Sequence, residues 1–343
     1  MRVLRMLRSL WRQEFGQGLV LAVLAMVVVL GFAAMAIDVG LFLHERRELQ
    51  NAADAAALAG VQELPYSSAE AEARAQEWAV NNGVNLAEGE LEPIQVTKTY
   101  EDDDTITVRV QRDVPYIFAR VLGFTSGTMH AEANARVGSP SWADNVMPWA
   151  LLKSAQEGVT YNTEVTLKYS SQAGASGDYG SLALGGLTGK DAYRNSIING
   201  AKTCVGCVEQ TEPGNMVGPT EQALQDRLAS NNPACENFED VFEAVGDGWR
   251  FANNQCNPWE EGGVNSNRVV LIPVIDDPDG GREQVTVIRF ALVFLTNDAN
   301  DNICPTGKEC DVKGIFVKAY DDIGGLIGPY DPGSDIRFAR LVE

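Results

Sequence analysis

Between Leu19 and Ile37 the chain runs nineteen residues without a charged side chain. At about 1.5 Å of rise per residue, a helix of that length crosses a hydrocarbon core of about 30 Å. No proline interrupts the next segment, and Ala, Leu, Glu, Arg and Gln dominate from Leu41 to Leu64, all good helix formers. The pattern predicts one long helix, transmembrane over residues 15–37 and a projecting stalk over 38–64. Arg2, Arg5, Arg8 and Arg12 precede the apolar run, whereas the far flank opens on Asp38 and mixes signs through His44, Glu45, Arg46, Arg47 and Glu48. An Arg-rich short flank stays on the cytoplasmic side. Residues 1–14 therefore read as a basic cytoplasmic lead, and the remainder as the extracytoplasmic part of a single-pass cell-membrane protein. A cleaved signal peptide is the rival, because an Arg-rich start, an apolar run and Ala34-Met35-Ala36 occur in the right order. The run is longer than the usual core of about 7–15 residues, and no helix breaker precedes the Ala-x-Ala, which favours an uncut anchor.

Three sub-motifs lie along this helix: G-Q-G-L-V-L-A-V from Gly16, G-F-A-A-M-A-I-D-V-G from Gly31, and R-R-E-L-Q-N-A-A-D-A-A-A-L-A-G from Arg46. In this order and spacing they resemble the N-terminal segment of TadE/TadG-like Flp pilus-assembly proteins. The residues that carry the resemblance are Gly16, Gly31, Asp38, Gly40, Gln50, Asn51, Asp54 and Gly60. It implies a non-catalytic component of a Flp-type (Tad) pilus-assembly or secretion machine, with the membrane, pilus subunits or Tad platform proteins as partners. Physical chemistry is compatible with this. Asp38 sits where the helix should leave lipid, the least costly place for a carboxylate at the end of a span. Ala52, Ala53, Ala55, Ala56, Ala57, Ala59 and Gly60 make a thin rod that another backbone can approach closely. That rod packs either against other subunits or the assembly platform, which is the favoured reading, or only against its own domain. Glu14-Phe15 is similar to the Glu-aromatic pair of Flp-type prepilins, whose peptidase cuts five residues upstream after a Gly. Ser9 stands at that place here, so the resemblance does not extend to processing.

Charge narrows the partners. The chain of 343 residues carries 27 Lys and Arg against 47 Asp and Glu, a net charge of −20. Without the four N-terminal Arg and Glu14 the outer part holds 23 bases and 46 acids. Such a balance excludes nucleic acid, whose affinity comes from neutralising phosphates, and predicts a solvated, self-repelling exterior. All six cysteines, Cys204, Cys207, Cys235, Cys256, Cys304 and Cys310, come after residue 200 and so fall in the predicted outer part. An even number there predicts disulfides formed after export. Local pairs Cys204–Cys207 and Cys304–Cys310, leaving Cys235–Cys256, are one of fifteen connectivities. A redox reading of Cys204-Val-Gly-Cys207 lacks a helix to open, and a zinc reading lacks a nearby second pair or a later His.

The remainder predicts an α+β chain: a small pilin-like module over 65–138 and a β-rich extracytoplasmic domain with an antiparallel sheet over 139–343. Pro65 ends the stalk. Ser67-Ser68-Ala69-Glu70 has capping-box form and opens a helix to about Asn82, with Gly83 as its stop. Ile94–Tyr100 and Thr105–Val110 alternate as strands around an acidic hairpin loop, Val114–Gly123 reads as a short amphipathic helix, and Met129–Val137 as a third strand. Gly138-Ser-Pro140 marks the boundary. Beyond it Val159–Tyr169 reads as a strand, Ser170–Gly189 as loop, and Pro219–Ala229 and Asn237–Val245 as short helices. The apolar runs Arg268–Ile275, Gln284–Thr296 and Val312–Tyr320 read as an antiparallel meander, with a last strand over Ile336–Val342. D-Y-G-S-L-A-L-G-G from Asp178, P-G-N-M-V-G-P-T from Pro213, and the R-V-V-L-I-P-V and F-A-L-V-F-L runs also resemble the ectodomain of some TadG-like proteins. The Asp-x-Ser-x-Ser that opens the metal site of larger, von Willebrand A-containing members does not occur.

No catalytic or cofactor motif emerges. Gly189-Lys190 lacks the P-loop frame, because Leu184 and Asp191 stand where Gly and Ser/Thr are needed. The two histidines, His44 and His130, belong to no nucleophile or metalloprotease motif. Asp298, Asn300, Asn302 and Glu309 fall at positions 1, 3, 5 and 12 of an EF-like loop, but Ile303 holds the position that requires Gly, and a solvated acidic turn is simpler. The same holds for Asp276–Gly280. No enzyme and no cofactor is expected. A membrane-anchored surface adhesin or scaffold unconnected to pili is the alternative, with an unknown surface ligand, and an anchored hydrolase a more distant one.

Overall fold

The computed structural model describes residues 14–158, 160–168, 181–212, 216–246, 248–252, 254–260, 266–276, 284–297, 312–320 and 323–342. The anticipated Asp298–Glu309 loop, Cys304, Cys310 and most of Ser170–Gly189 lie outside these residues.

Helix α1 (Glu14–Gly60) is continuous over 47 residues, about 70 Å at the usual rise. Its segment from Gly18 is long and apolar enough to cross a membrane, and none of the most apolar window is buried in the protein. The later half is different. Leu49, Ala52, Ala53, Ala56, Ala57 and Gly60 recur at steps of three and four residues, so they share one face. That face is buried against Ala71, Ala75 and Ala79 of α2 (Ser68–Asn81) and against a β-sheet. The alanine face is therefore committed to its own domain, which corrects the expectation that it packs on other subunits. Small side chains on both helices let the backbones approach closely. At Gly60 an added Cβ would lie 2.6 Å from Ile106 Cδ1, 2.7 Å from Ala71 O and 2.9 Å from Ala75 Cβ. Gly60→Leu is expected to cost about 2 kcal/mol through overpacking, read as a lower denaturation midpoint at unchanged slope.

The start of α2 obeys its sequence signal: Ser67 Oγ accepts from the Glu70 amide at 3.2 Å. The helix is stopped by Gly83 at φ +90°. Strands β1 (Gln95–Thr97), β2 (Thr105–Pro115) and β3 (Ser126–Gly138) form an antiparallel sheet whose fourth strand is the C-terminal Phe338–Val342, paired to β3. Val108, Val110, Ala131, Ala133 and Ala135 alternate inward onto α1. In the β1–β2 turn, buried Asp104 accepts from the amides of Thr99, Tyr100 and Glu101. Burial pushes its pKa up, but these backbone bonds outweigh that and hold it below the ordinary carboxylate range.

The helix anticipated over Val114–Gly123 is absent. Val114 and Pro115 instead extend β2, opposite Gly127 and Ser126, and only Ala119–Leu122 form a 3-10 turn, closed by Gly123 at φ +95°. Pairing along the whole of β3 overrides the local helical pattern.

Beyond Ser139 the strands Val269–Ile275, Gln284–Thr296 and Val312–Val317 form the anticipated antiparallel meander. Alternate residues feed two cores. Val269, Leu271, Phe290, Leu292 and Phe294 point into one with Phe238, Phe242 and Phe251. Val270, Ile272, Val274, Ala291, Val293 and Leu295 point into the other, under the helices Lys190–Asn199 and Val217–Leu228. Burial on both faces explains why these runs read as nearly continuous apolar sequence. Disulfides join Cys204 to Cys207 and Cys235 to Cys256. The Asn237–Val245 helix is reduced to Phe238–Val241, because Phe242–Val245 pairs with Gly248–Phe251. The head and the first module are tied by the C-terminal strand and by Arg136, which donates to Gly328 O at 2.9 Å. The Tyr66 and Tyr330 hydroxyls are also hydrogen-bonded at 2.7 Å.

Candidate functional site

The described part of the molecule converges on the junction where α1 leaves its apolar half and meets the β2–β3 hairpin. The hairpin runs down α1 almost in step with it. Gly60 abuts Ile106, and Glu45 meets Arg112. Fifteen helical steps are about 22 Å and six strand steps about 20 Å, so contacts made at one end are kept at the other. Gln50 Nε2 bridges this ladder midway, donating to Asp54 Oδ1 at 2.8 Å and to Glu132 O of β3 at 2.9 Å.

Lower down, Arg112 donates to Glu90 at 2.6 and 2.9 Å, to Glu45 at 3.2 Å and to Gly83 O at 2.7 Å. The Arg112 hydrogen bonds hold the Glu90 carboxyl below the ordinary glutamate range. Arg112→Met would leave Glu90 buried without its cation and is expected to destabilise the module by about 2 kcal/mol in chemical denaturation. The folded pKa of Glu90 is depressed, as is that of Asp104. Their stabilisation is therefore complete above the ordinary carboxylate values of about 4 and is lost as pH falls through the lower folded values. A thermal-melting series from pH 6 to pH 2 should show the module weakening only below about pH 4.

At the lowest contact Asp38 is buried. Its Oδ1 accepts from the amides of Ile117 and Phe118 at 2.9 and 3.2 Å, and its Oδ2 from Phe118 and Ala119 at 3.1 and 2.7 Å. Three successive amides at the start of a 3-10 turn make a cradle for a carboxylate, in the manner of an N-cap. One turn later Phe42 stacks on Tyr116, with centroids 4.8 Å apart and an interplanar angle of 4°. Gly127 leaves room for that pair: a Cβ there would come within 2.8 Å of Phe42 and 2.7 Å of the Tyr116 hydroxyl. Beside the contact runs an apolar groove of ≈ 760 Å³, lined on α1 from Val27 to Arg46 and on the hairpin by Tyr116, Phe118, Ala119, Val121 and Met129.

Residues 16–63, which make up almost all of α1 and the turn after it, match the family model described as Tad, "Putative Flp pilus-assembly TadE/G-like". Over these residues the chain is similar to Tad segments. The chain matches no curated protein and no solved structure. The Tad residues singled out in the sequence divide into two groups. Asp38, Gln50 and Gly60 bind the helix to its own module, and Asp54 holds the Gln50 side chain from the next turn. A Cβ at Gly31 or Gly40 would meet no atom within 4 Å, and Asn51 is exposed. Gly16 lies in the first turn of the helix. The partners of Asp38 were not legible beforehand. The amides that hold it lie about 80 residues away in a stretch whose local pattern resembled a helix.

Among the described residues the remaining candidates gather no shared chemistry. His44 is exposed and lies 3.2 Å from Glu48, while His130 is exposed on β3. The amide of Gly189 donates to Glu212 at 2.8 Å, so the start of the Lys190–Asn199 helix is already met by the protein's own carboxylate. Among the described residues no group of three or more His, Cys, Asp or Glu is arranged to hold a metal ion. Burial pushes the Asp335 carboxyl up. It accepts from Tyr161 and Gln156, which tie its loop to the head.

Proposed function

We propose that this protein is a membrane-anchored, non-catalytic component of a Flp-type (Tad) pilus-assembly or secretion machine. In this reading α1 crosses the cell membrane once with the basic N-terminus in the cytoplasm, and the acidic module and head stand outside. The observation that carries it is the division of α1 into two faces within the Tad-matching residues. At about 100° per residue, Ala33, Ala36, Gly40, Leu43, Arg47 and Asn51 line up opposite the face that holds Asp38, Glu45, Leu49 and Ala56. The module occupies the second face, and the first is exposed along its length. Its lower part is small enough for close helix packing in lipid, and its upper part is polar, as suits contact outside the bilayer. The open face would engage pilus subunits or platform helices, and the outer domains would cap, anchor or make contact at the pilus base or tip.

Photo-crosslinkers at Gly40, Leu43, Arg47 and Asn51 in native membranes test this. The expected adducts contain a pilin or a platform protein, with none from crosslinkers at Ala53 or Ala56. Stripe crosslinkers that never trap a pilus-machine protein would overturn the reading.

A further inference from the structure

We propose that the tip of the β2–β3 hairpin, Tyr116–Phe124, is a second membrane contact that inserts beside α1 into the outer leaflet. The proposal rests on the reading that α1 spans the bilayer, and it adds that the lipid boundary lies beyond Asp38.

Four observations carry it. First, the tip is apolar and open: Ile117, Phe118, Val121 and Phe124 are all exposed, Val121 at 87%. Second, its place is fixed. The Asp38 hydrogen bonds and the Phe42–Tyr116 stack hold it against the end of the uncharged run, and its Val121 lines one groove with Val27, Gly31 and Met35. Val27 precedes Asp38 by eleven residues, about 16 Å along the helix. The exposed tip thus continues the apolar surface of the span itself.

Third, the backbone is prepared for lipid, where an unmet N–H is costly. The Tyr116 amide bonds to Thr125 O, those of Ile117, Phe118 and Ala119 to Asp38, and that of Val121 to Phe118 O. The Gly123 amide bonds to Arg120 O and that of Phe124 to Ala119 O. Fourth, the one carboxylate within Leu19–Leu43 is Asp38, and it is the one masked by three amides. A carboxylate so satisfied no longer needs water, so the boundary can move one to two turns along, towards Leu43 and Arg46. Tyr116, Phe118 and Phe124 would then lie at the interface that aromatic side chains favour, and Arg120 and Arg46 are long enough to reach lipid phosphates. The occupant of the groove is an acyl chain of an outer-leaflet lipid.

The test uses the full chain in vesicles of phosphatidylethanolamine and phosphatidylglycerol. An environment-sensitive fluorophore is placed at Val121→Cys, with Val27→Cys as the reference within the span and Leu187→Cys as an exposed reference on the head. Unsubstituted protein gives the labelling background. The proposal expects the Val121 probe to be quenched by lipids spin-labelled on the acyl chain and to be shielded from aqueous iodide at least fivefold relative to Leu187. A Val121 probe as iodide-accessible as Leu187, with the Val27 probe quenched by lipid, would overturn the proposal and leave the span intact. A Val27 probe that lipid does not quench would overturn the spanning reading and the insertion with it. Val121 is 87% exposed, so its replacement removes little packing from the fold.

Discussion

In Asp38→Ala, hydrogen exchange at the amides of Ile117, Phe118 and Ala119 is expected to speed up by about 100-fold, with little change at the amides of β2 near Val108. The carboxylate accepts from all three amides and is itself buried. Hydrogen bonds to a charged acceptor contribute about 1.5–3 kcal/mol each, and water would replace part of that once the turn lifts away. A net loss of about 3 kcal/mol corresponds to the factor of about 100 in local opening. Asp38→Asn keeps one acceptor oxygen but no charge and should fall between the two. Exchange at these amides that is unchanged in Asp38→Ala would mean that the carboxylate does not hold the hairpin. The consequence extends past the turn, because Asp38 lines the groove one helical turn from the Phe42–Tyr116 stack.

The paired replacement Cys235→Ser with Cys256→Ser is expected to destabilise the head by about 3 kcal/mol, a drop of about 6–12 °C in its melting temperature. The bond closes a segment of 21 residues between two fully buried positions in the core that holds Phe238, Phe242 and Phe251. Removing it restores the loop-closure entropy of the unfolded chain and leaves Phe238, Phe242 and Phe251 to packing and to the pairing of Phe242 with Phe251. Reduction of unsubstituted protein, which also opens Cys204–Cys207, should lower the melting temperature at least as far, and differential scanning calorimetry reads both. The shift should be smaller in the module of α1, α2 and β1–β3, which is tied to the head through the strand Phe338–Val342 and the loop before it.

Much of this arrangement is written locally. The uncharged run and its helix-forming stalk dictate α1, Ser67 and Gly83 bracket α2, and the three β-branched runs specify the meander. The features that could not be read are those that depend on distant partners. Val114 and Pro115 carry a helical pattern but join β2, because Gly127 and Ser126 are opposite them. Asn237–Val245 divides because Phe242 pairs with Phe251. The alanine face of α1 looks the same in sequence whether it meets another subunit or α2, and only the spacing of Ala71, Ala75 and Ala79 in the fold decides it. The Asp38 cradle is of the same kind: its acceptor is plain in the sequence, and its donors are not.

Every functional conclusion depends on the apolar half of α1 lying in a bilayer with the acidic domains beyond it. The most direct test is labelling of intact cells with a membrane-impermeant maleimide, comparing Ser9→Cys in the basic lead with Ser68→Cys at the start of α2. After alkaline carbonate extraction the chain should remain with the membranes. Ser68→Cys should be labelled from outside, and Ser9→Cys only once the membrane is opened. A chain released by carbonate, or Ser9→Cys labelled in sealed cells while Ser68→Cys is protected, would contradict the account.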